Sequence, residues 1–559
     1  MEKRVIIAFV LSFVVLYAFR ALYSPPPAPQ EEQQSAQSQP APAAPNPQPE
    51  EPVPATKQEK LAPAEEVHAE KGEDVTIDTP LYTVTISNLG GVLKSYRLKA
   101  YKDGEGHPVE LINQFGGNRV GWPLALMTAD PSLADRVNKA FFTVTRSGDK
   151  ATLEYGSNGV HATKVFQFDP QNYQFTFNST LTDNGRNVPH SVLWRGGFGD
   201  QSLVPQDERK QNAFFQVDSS YTRVPSTSLK DLTETTYKCG MFSSCPTSVM
   251  SLRAGVEDQY FAAAVTSLQG PTAVTFHKQQ YPGADDKPVG SLVLSVAVPV
   301  QGKLAVYVGP KQQEWLAKAD PQLSGLVNYG TFGFIARPLL AALLWIHQYI
   351  GNFGWSIILL TVALNLVLFP LRLKQQVSML KMQKIQPQMR RLQDQYKKLK
   401  ANDPRRMQVQ TDMMNLYKEH GVNPMGGCLP LILQMPLLFG FYSALAYSIE
   451  LRRAPWMLWI KDLSQPDPYY VIPISMAVAM FLQQKLTPTA NVDPAQAKMM
   501  MVMPLVFTFM FLNYGSGLAL YWLTGSIISV GQQVFINKYW SPQAEAKLRS
   551  RDRDEKQGT

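Results

Sequence analysis

Long apolar segments in the second half of the chain constrain its fold more than any other feature. A helix of about 20 apolar residues spans the hydrocarbon core of a bilayer while satisfying its own backbone hydrogen bonds. Five such segments fall at residues 351–371, 427–447, 469–485, 495–514 and 517–536. The mean hydropathy of −0.16 hides them because they are averaged with very polar stretches. The sequence therefore predicts a membrane-embedded α-helical bundle rather than a chain that is soluble throughout.

The first 23 residues contain a further apolar run, which begins after two basic residues. A cleavable signal peptide would need small residues at its cut site, but Arg20 lies there. We therefore predict that residues 1–23 are a retained membrane anchor and the first of six spans. Residues 24–72 contain twelve prolines and many Gln and Glu residues. Such a composition cannot bury enough apolar surface to offset its chain entropy, so it predicts a disordered linker.

Residues 73–320 have the pattern of a separate β domain. Short runs such as 82–87 and 173–178 alternate polar and apolar residues with period two, and Gly, Asp, Asn and Pro separate the runs. Alternation with turns at this spacing is typical of antiparallel sheets that pack in two layers. The predicted fold class is therefore a membrane α-helical bundle of six spans plus a large antiparallel β-sandwich.

The predicted β domain contains acidic residues near its turns. A sandwich of this size is compatible with a sugar-processing enzyme that uses a pair of carboxylates, but exposed turn carboxylates are the commoner explanation. The residues in question are Asp200, Asp207, Glu208, Asp218 and Asp231. Because an enzyme that needs only an anchor has no use for six spans, we predict no catalytic residue and no enzymatic activity.

Sequence motifs for cofactors are absent. The chain contains no Walker A pattern, no H-E-x-x-H and no C-x-x-C, and its seven histidines are scattered. We therefore predict no nucleotide, no metal and no other cofactor. Cys239 and Cys245 are close enough in sequence for a disulfide in an oxidising compartment, and two free thiols are equally compatible with the sequence.

The apolar run that ends at residue 371 is longer than one span requires. A proline and a glycine-containing stretch interrupt it, and the piece between them is too short to cross a bilayer. We predict an amphipathic helix in the membrane interface within residues 321–350, with Trp345 and Tyr349 at the level of the headgroups. The span 351–371 then follows. A re-entrant segment or a seventh span is the alternative.

Basic residues are concentrated in one segment between two predicted spans. Residues 372–419 contain twelve Lys or Arg and four Asp or Glu, a difference of eight that equals the net charge of +8 of the whole chain. Short basic loops stay on the cytoplasmic side of membranes, and the basic tail 537–559 agrees with this orientation. Six spans then place both termini in the cytoplasm and the β domain in the periplasm, so we predict a multi-pass protein of the inner membrane.

Residues 372–420 are predicted to form a basic helical hairpin. Apolar residues recur at alternating intervals of three and four, as in paired helices, at Met382, Ile385, Met389, Leu392, Tyr396 and Leu399. Asp403 and Pro404 begin a second helix. Its predicted apolar face consists of Met407, Met413, Met414 and Tyr417.

The basic residues of this hairpin predict docking to ribosomal RNA or to anionic lipid headgroups. They are Lys381, Lys384, Arg390, Arg391, Lys397, Lys398, Arg405 and Arg406. A solvated loop whose charge only sets the membrane topology is equally compatible with the sequence.

The predicted spans from residue 351 onward carry uncharged polar residues and no charged residue in their middles. Proton-coupled carriers normally need ionisable groups there, so such transport is disfavoured. The polar residues are Thr361, Asn365, Gln434, Gln483, Gln484, Ser526, Ser529, Gln532 and Gln533. They predict either ordinary hydrogen bonds between helices or a shallow cavity that admits water.

A set of motifs in the same region carries a family resemblance. They are Gly351-Asn-Phe-Gly-Trp-Ser-Ile, Phe369-Pro-Leu, Val422-Asn-Pro-Met-Gly-Gly-Cys-Leu-Pro, Leu433-Gln-Met-Pro and Ser516-Gly-Leu-Ala-Leu-Tyr-Trp. In this order, over residues 330–540, they resemble the YidC/Oxa insertase family. The resemblance implies five helices around a hydrophilic groove that is open to cytosol and lipid, and a periplasmic β-supersandwich similar to galactose mutarotase. It also implies nascent membrane proteins as clients and the ribosome and the Sec translocon as partners.

The resemblance also implies which residues contact clients. The matching positions are Thr361, Phe369, Pro370, Met435, Pro436, Tyr521 and Trp522, to which the polar Gln434 is added. The family has a groove arginine four residues after the threonine, whereas this chain has Asn365. Arg372 lies seven residues further along the same helix face and is predicted to supply part of that charge. The alternative function is a membrane chaperone for folding and assembly without insertion activity of its own.

Overall fold

The computed structural model comprises a β domain followed by a helical domain. It describes residues 66–200, 211–229, 235–239, 243–283, 288–299, 302–400, 403–420, 429–486, 494–540 and 542. The predicted anchor 1–23, most of the predicted linker and all but residue 542 of the tail after residue 540 lie outside the described residues. We use β domain for the described residues from 66 to 326 and helical domain for those from 333 to 540.

The β domain consists of short antiparallel strands and three short helices. Its strands are β1 (Asp74–Asp78), β2 (Tyr82–Ser87), β3 (Val92–Lys102), β4 (Pro108–Glu110), β5 (Ala125–Thr128), β6 (Thr143–Ser147), β7 (Lys150–Ser157), β8 (Val160–Phe168), β9 (Gln174–Asp183), β10 (Arg186–Asn187), β11 (His190–Trp194), β12 (Asn212–Val217), β13 (Ser220–Pro225), β14 (Thr236–Lys238), β15 (Ser244–Pro246), β16 (Ser248–Ser251), β17 (Arg253–Glu257), β18 (Phe261–Ser267), β19 (Thr272–Pro282), β20 (Pro288–Ala297) and β21 (Leu304–Pro310). Its helices are α1 (Gln114–Val120), α2 (Pro131–Asn138) and α3 (Gln313–Ala319).

Two large sheets dominate the β domain. One has ten strands in the order β13-β12-β17-β18-β21-β9-β8-β7-β6, with β10 paired to β9, and the other has five in the order β16-β19-β20-β11-β5. Phe215 of the first sheet stacks on Phe276 of the second with ring centroids 5.3 Å apart. A four-stranded sheet, β1-β2-β3-β4, and the pair β14-β15 complete the domain. The predicted antiparallel sheet architecture is confirmed.

Period-two alternation explains how strands β8 and β9 build the core. Phe166 lies opposite Phe177 in the register, and Phe168 lies opposite Phe175. The ring centroids of these cross-strand pairs are 5.0 and 5.1 Å apart. All four rings are buried, so each strand contributes one apolar face to the same interior.

Lys164 interrupts the apolar inner face of β8. Its side chain is fully buried, and Nζ donates hydrogen bonds to the carbonyl oxygens of Gly90 (2.7 Å), Gly91 (3.1 Å) and Leu124 (2.7 Å). All three acceptor residues have positive φ angles, of 73°, 57° and 67°. Burial lowers the pKa of the Lys164 amine to about 7. The lysine therefore joins two tight turns through one interior group, which alternation alone does not predict.

A disulfide joins Cys239 to Cys245 beside the β14-β15 pair, with their Cα atoms 5.7 Å apart. Tyr237 lies opposite Cys245 in the strand register, so the disulfide adds a covalent link to that hairpin. Of the two arrangements that the sequence leaves open, the structure therefore contains the bridged one.

The helical domain consists of seven helices. They are α4 (Gly333–Ile350), α5 (Phe353–Lys398), α6 (Arg405–Glu419), α7 (Leu429–Ala446), α8 (Val471–Leu486), α9 (Pro494–Phe511) and α10 (Ser516–Phe535), among the described residues. Helix α4 begins later than the predicted interfacial segment. It ends at Gly351, whose φ of 70° is the left-handed conformation that terminates helices.

Helix α5 differs from the prediction because it does not end near residue 371. It is continuous over 46 residues and contains Pro370 and Pro387. A proline removes one backbone donor and bends a helix, but the turns on either side keep their own hydrogen bonds. The predicted span and the first arm of the basic hairpin are therefore one helix.

The six predicted spans are not confirmed. Within the described part of the chain, two helical stretches are long and apolar enough to cross a membrane, Phe353–Met382 and Ser516–Trp540. Helix α8 has 16 residues, which at 1.5 Å per residue gives about 24 Å, short of a core of about 30 Å. Among the described side chains of α9, Met501–Phe511 is an apolar stretch of 11 residues, which is also too short to cross a membrane unaided.

The basic hairpin buries Met382, Ile385 and Met389 of the predicted contact face of α5. Met382 and Ile385 of α5 are buried against Leu416 and Tyr417 of α6. Met407 and Met414, which the sequence assigns to the apolar face of α6, are instead 77% and 48% exposed. Tyr417 of the predicted face takes part in the contact and Met413 is half-buried, while Val409 and Leu416, which the prediction left out, complete it.

Candidate functional site

Arg372 is the centre of a group of polar contacts between α5 and α10. Its Nη1 donates to Ser529 Oγ at 2.8 Å and to Gln532 Oε1 at 2.6 Å. Its Nη2 donates to Asn365 Oδ1 at 3.1 Å. Gln532 Nε2 in turn donates to the backbone oxygen of Asn365 at 3.3 Å. We call Asn365, Arg372, Ser529 and Gln532 the polar cluster.

The polar cluster carries a net positive charge in apolar surroundings. Asn365 is 8% and Ser529 is 7% exposed, and Arg372 is half-buried. In the part of the chain that the structure describes, no carboxylate pairs with Arg372. A cation of this kind attracts anions strongly, because screening is weak where water is scarce. The arrangement can bind a carboxylate in a bidentate geometry.

The neighbouring polar groups of α5 are satisfied along their own helix. Thr361 Oγ1 donates to the backbone oxygen of Ile357 at 2.6 Å, and Asn365 Nδ2 donates to that of Thr361 at 2.8 Å. Thr361 is fully buried, and a Cβ atom at Gly525 of α10 would lie 3.9 Å from its Cγ2. Helices α5 and α10 are therefore in close contact one turn away from the polar cluster.

A second polar contact joins α7 to α10. Gln434 Nε2 donates to Tyr521 Oη at 3.2 Å. The ring of Tyr521 is buried and stacks on Phe441 with centroids 4.1 Å apart. Of the predicted contact residues, the structure therefore brings Gln434 and Tyr521 together, and separately Asn365 and Arg372.

The other predicted contact residues do not join these two groups. Trp522 Nε1 lies 3.3 Å from Met480 Sδ of α8, and its ring stacks on Phe507 of α9. The Phe369 ring approaches Phe535 of α10 at 6.3 Å between centroids, and Pro370 is exposed. The two remaining residues, Met435 and Pro436, are half-buried on α7.

The basic residues of the hairpin are distributed over its surface. Five are exposed: Lys384, Arg390, Arg391, Lys398 and Arg405. Lys381 and Arg406 are half-buried, and the Arg406 guanidinium lies 4.6 Å from the ring centroid of Tyr396. The side chain of Lys397 lies outside the described part of the chain. The exposed members form a cationic surface at the far end of α5.

Asp200 corrects the interpretation of the acidic residues as exposed turn carboxylates. Its side chain is fully buried in an ion pair with Arg452, which follows α7. Asp218 is exposed in a turn, as that interpretation requires. Asp207, Glu208 and Asp231 lie outside the described residues. Within the described residues, no group of three or more His, Cys, Asp or Glu side chains is arranged to hold a metal ion.

The sequence singles out the partners of Arg372 as polar residues of a predicted span but does not assign them to the client contacts. Ser529 and Gln532 stand three positions apart on α10, which puts them on one helix face. That spacing is visible in the sequence. It does not reveal which helix they face, because ordinary hydrogen bonds between helices produce the same pattern.

Two family models match the chain, one for each domain. The model described as "60Kd inner membrane protein" matches residues 345–544, and the one described as "YidC periplasmic domain" matches residues 74–342. The β domain and the helical domain therefore correspond to separately recognised units.

Curated relatives match over most of the chain. "Membrane protein insertase YidC" of Geobacter sp. (strain M21) is 38% identical over 83% of this chain and 86% of its own length. The protein of the same description from Geobacter sulfurreducens is 36% identical over 98% of this chain and 100% of its own length. A solved structure described as "Active YidC insertase crystal structure with the first transmembrane domain resolved" is 20% identical over 85% of this chain and 94% of that one. Its TM-score of 0.34 is too low to support an argument.

Sequence identity above one third over nearly the full length is far beyond what a shared fold alone would produce. None of these descriptions names a catalytic activity, and both family models concern an inner-membrane protein or its periplasmic part. The chain therefore belongs to the YidC family of membrane protein insertases.

Proposed function

We propose that this protein inserts nascent membrane proteins into the inner membrane by receiving their polar tails at the polar cluster between α5 and α10. The observation that carries the proposal is the position of Arg372, a half-buried cation without a described carboxylate partner, directly after the mostly apolar residues 353–371 of its helix. A client tail with acidic residues supplies the missing anion.

The reach of Arg372 supports electrostatic capture at the level of residue 365. Seven residues along a helix correspond to about 10 Å toward the cytosolic end, yet the guanidinium lies 3.1 Å from Asn365 Oδ1. The long side chain thus returns the charge toward the middle of the span, the reverse of the usual orientation of arginines near membrane interfaces, whose charged heads stay in water. The asparagine and the arginine together replace the single groove arginine of the family.

The proposed mechanism lowers the free-energy barrier for moving a polar tail across the membrane and does not consume a nucleotide. Moving a polar tail through hydrocarbon costs several kcal/mol per unpaired group, and hydrogen-bonding groups within the membrane shorten the dry part of that path. Burial of the client's own apolar segment, at roughly 25 cal/mol per Å2, then favours its release into lipid. Neither step needs a nucleotide.

Exposed apolar side chains support contact with lipid on the outer faces of the helical domain. On α9, Met501, Val502, Leu505 and Phe509 are between 52% and 75% exposed and lie on one face. A patch of this kind on a folded protein marks a surface that another apolar phase covers. We propose six spans with both termini in the cytoplasm and the β domain in the periplasm.

The partners follow from this topology. The hairpin of α5 and α6 then faces the cytosol, where its cationic surface meets ribosomal RNA or anionic lipid headgroups. Clients arrive as nascent chains, either directly or from the Sec translocon.

Reconstitution of the purified full-length chain tests the proposal. In proteoliposomes that lack the Sec translocon, a client with a short polar tail should insert in a protease-protected form. Cysteines placed at positions 365 and 434 should react with soluble thiol reagents from the cytosolic side. A chain that holds clients in a soluble state but never inserts them would instead be a membrane chaperone, and the proposed function would be wrong.

Asn365 is predicted to tune which tails are accepted. Asn365→Leu removes one hydrogen-bonding partner from the polar cluster, so the insertion rate of clients with neutral polar tails should fall roughly fivefold. Asn365→Arg should increase the preference for acidic tails over neutral ones. Initial rates in proteoliposomes measure both effects.

The matched control is Leu366→Ala, next to Asn365 on the same helix, where the side chain is 64% exposed on an apolar face. Its insertion rates should equal those of the unsubstituted chain. Identical rates for both Asn365 variants and this control would exclude a role for position 365.

A further inference from the structure

A segment between α7 and α8 contacts both domains. We call residues 447–470 the cap segment. Arg452 in this segment forms an ion pair with Asp200 of the β domain, and the two side chains are 3% and 0% exposed. Arg452 Nη1 also donates to the backbone oxygen of Lys102 at 2.9 Å, and its guanidinium lies 5.3 Å from the ring centroid of Phe261. One side chain of the cap segment is therefore enclosed by three parts of the β domain.

A second contact joins the β domain to the end of α7. Gln259 Nε2 donates to the backbone oxygen of Ala446 at 2.8 Å. Gln259 follows β17, and Asp258 beside it accepts a hydrogen bond from the backbone amide of Asp200 at 3.1 Å. The two contacts therefore share one rigid corner of the β domain.

The cap segment also holds the beginning of α5. Asn352, the residue before α5, donates from Nδ2 to the backbone oxygen of Trp456 at 3.0 Å. The Trp456 ring packs so closely on Gly354 that a Cβ atom there would lie 2.0 Å from it. Only glycine permits this approach, so the first turn of α5 and the cap segment move together.

The beginning of α10 is held by the same segment. The Gly517 amide donates to Leu463 O at 2.8 Å, and Ser516 Oγ donates to Gln465 O at 2.7 Å. The amide of Leu463 itself donates to Ala454 O at 3.0 Å, two residues from Arg452. The two helices that carry the polar cluster thus both start from a segment that Arg452 fastens to the β domain.

We propose that Arg452 is a positioning residue for insertion: through its ion pair with Asp200, the β domain fixes the cap segment and thereby the spacing of α5 and α10 at the polar cluster. This inference rests on the proposed function. A buried charge that loses its partner is strongly unfavourable, so breaking the pair from either side displaces the cap segment. The β domain then contributes to insertion without touching the client.

The test compares full-length variants in proteoliposomes by two readouts. Arg452→Gln and Asp200→Asn should each lower the initial insertion rate roughly tenfold, a size typical of coupling between contacting groups. The rate of disulfide formation between cysteines at positions 361 and 525, in a Cys428→Ser background, should fall in parallel, because it reports the α5–α10 distance. The double variant should be no slower than either single one, since no charge remains unpaired.

Two further variants keep the test decisive. Arg253→Gln breaks an ion pair with Asp320 inside the β domain, whose side chains are 10% and 14% exposed, and should leave both readouts within twofold. Gln259→Leu removes the hydrogen bond to Ala446 O without leaving a charge unpaired, and it should lower both the insertion rate and the rate of disulfide formation. This variant tests the inference if Arg452→Gln fails to fold.

Insertion and cross-linking at unsubstituted rates in Arg452→Gln, or in Gln259→Leu where the former does not fold, would overturn the inference. An unsubstituted chain that does not insert clients would contradict the proposed function instead.

Discussion

Replacing Arg372 with glutamine is expected to slow the insertion of clients with acidic tails by roughly 10- to 100-fold. Hydrogen bonds to a charged group contribute about 1.5–3 kcal/mol, and each 1.4 kcal/mol corresponds to about a factor of ten. Glutamine can still contact Ser529 and Gln532, so the packing of α5 on α10 is kept while the charge is removed. Initial insertion rates of a paired set of clients, with acidic and with neutral tails, measure the effect.

Two variants separate the role of charge from that of position. Arg372→Lys retains the charge but not the planar fork that reaches three acceptors, so it should recover only part of the rate. Lys374→Gln removes one positive charge from an exposed site two residues away and should leave the rate unchanged. An equal loss in Lys374→Gln, or an equal loss for neutral tails in Arg372→Gln, would show that Arg372 does not capture acidic residues.

Replacing Lys164 with methionine is expected to lower the free energy of unfolding of the β domain by about 3 kcal/mol. Methionine fills a similar volume, but it leaves the buried carbonyl oxygens of Gly90, Gly91 and Leu124 without a donor, at about 1–3 kcal/mol for each group that stays unpaired. Some of that cost is offset because a buried amine is removed. Hydrogen exchange of the β8 amides in the full-length protein measures the change.

The lowered pKa of Lys164 predicts how the stability of the β domain changes with pH. The pKa of the buried amine is lowered to about 7 from 10.5, so between these values the unfolded chain binds more protons than the folded one. Stability then rises with pH in that window, and the advantage over Lys164→Met should grow between pH 7 and pH 10. The control Lys150→Met, on the exposed side of β7, should show neither the loss nor the trend. A Lys164→Met protein as stable as this control would contradict the prediction.

Patterns that depend on neighbours along the chain predicted much of this fold. Alternation along β2 and β9 predicted antiparallel strands because each side chain's face is set by its position in the strand. The apolar run 517–536 predicted a helix that the structure begins at Ser516 and ends at Phe535. Helix α5 shows where such reasoning stopped, since the predicted span ended at residue 371 and the helix continues to Lys398.

Contacts between distant residues were not predictable from the sequence. Asp200 and Arg452 are separated by 252 positions, and each resembles an ordinary loop charge when viewed alone. Lys164 occupies a position that alternation assigns to an apolar residue, and only the folded turns around it supply its acceptors. At the polar cluster, the sequence showed that position 365 lacks the arginine of the family. It did not show that Ser529 and Gln532 are the partners of Arg372, which became clear only once α10 was placed beside α5.

Because α5 is continuous, the polar cluster and the cationic surface of the hairpin lie on one helix. Its 46 residues measure about 69 Å at 1.5 Å per residue, more than twice the hydrocarbon thickness of about 30 Å. Under the proposed function, a ribosome bound at the cationic surface would contact the same helix whose other half holds Asn365 and Arg372. Pro370 and Pro387 are the places where the helix can bend, so the helix itself would connect the proposed binding of a ribosome with the geometry of the polar cluster.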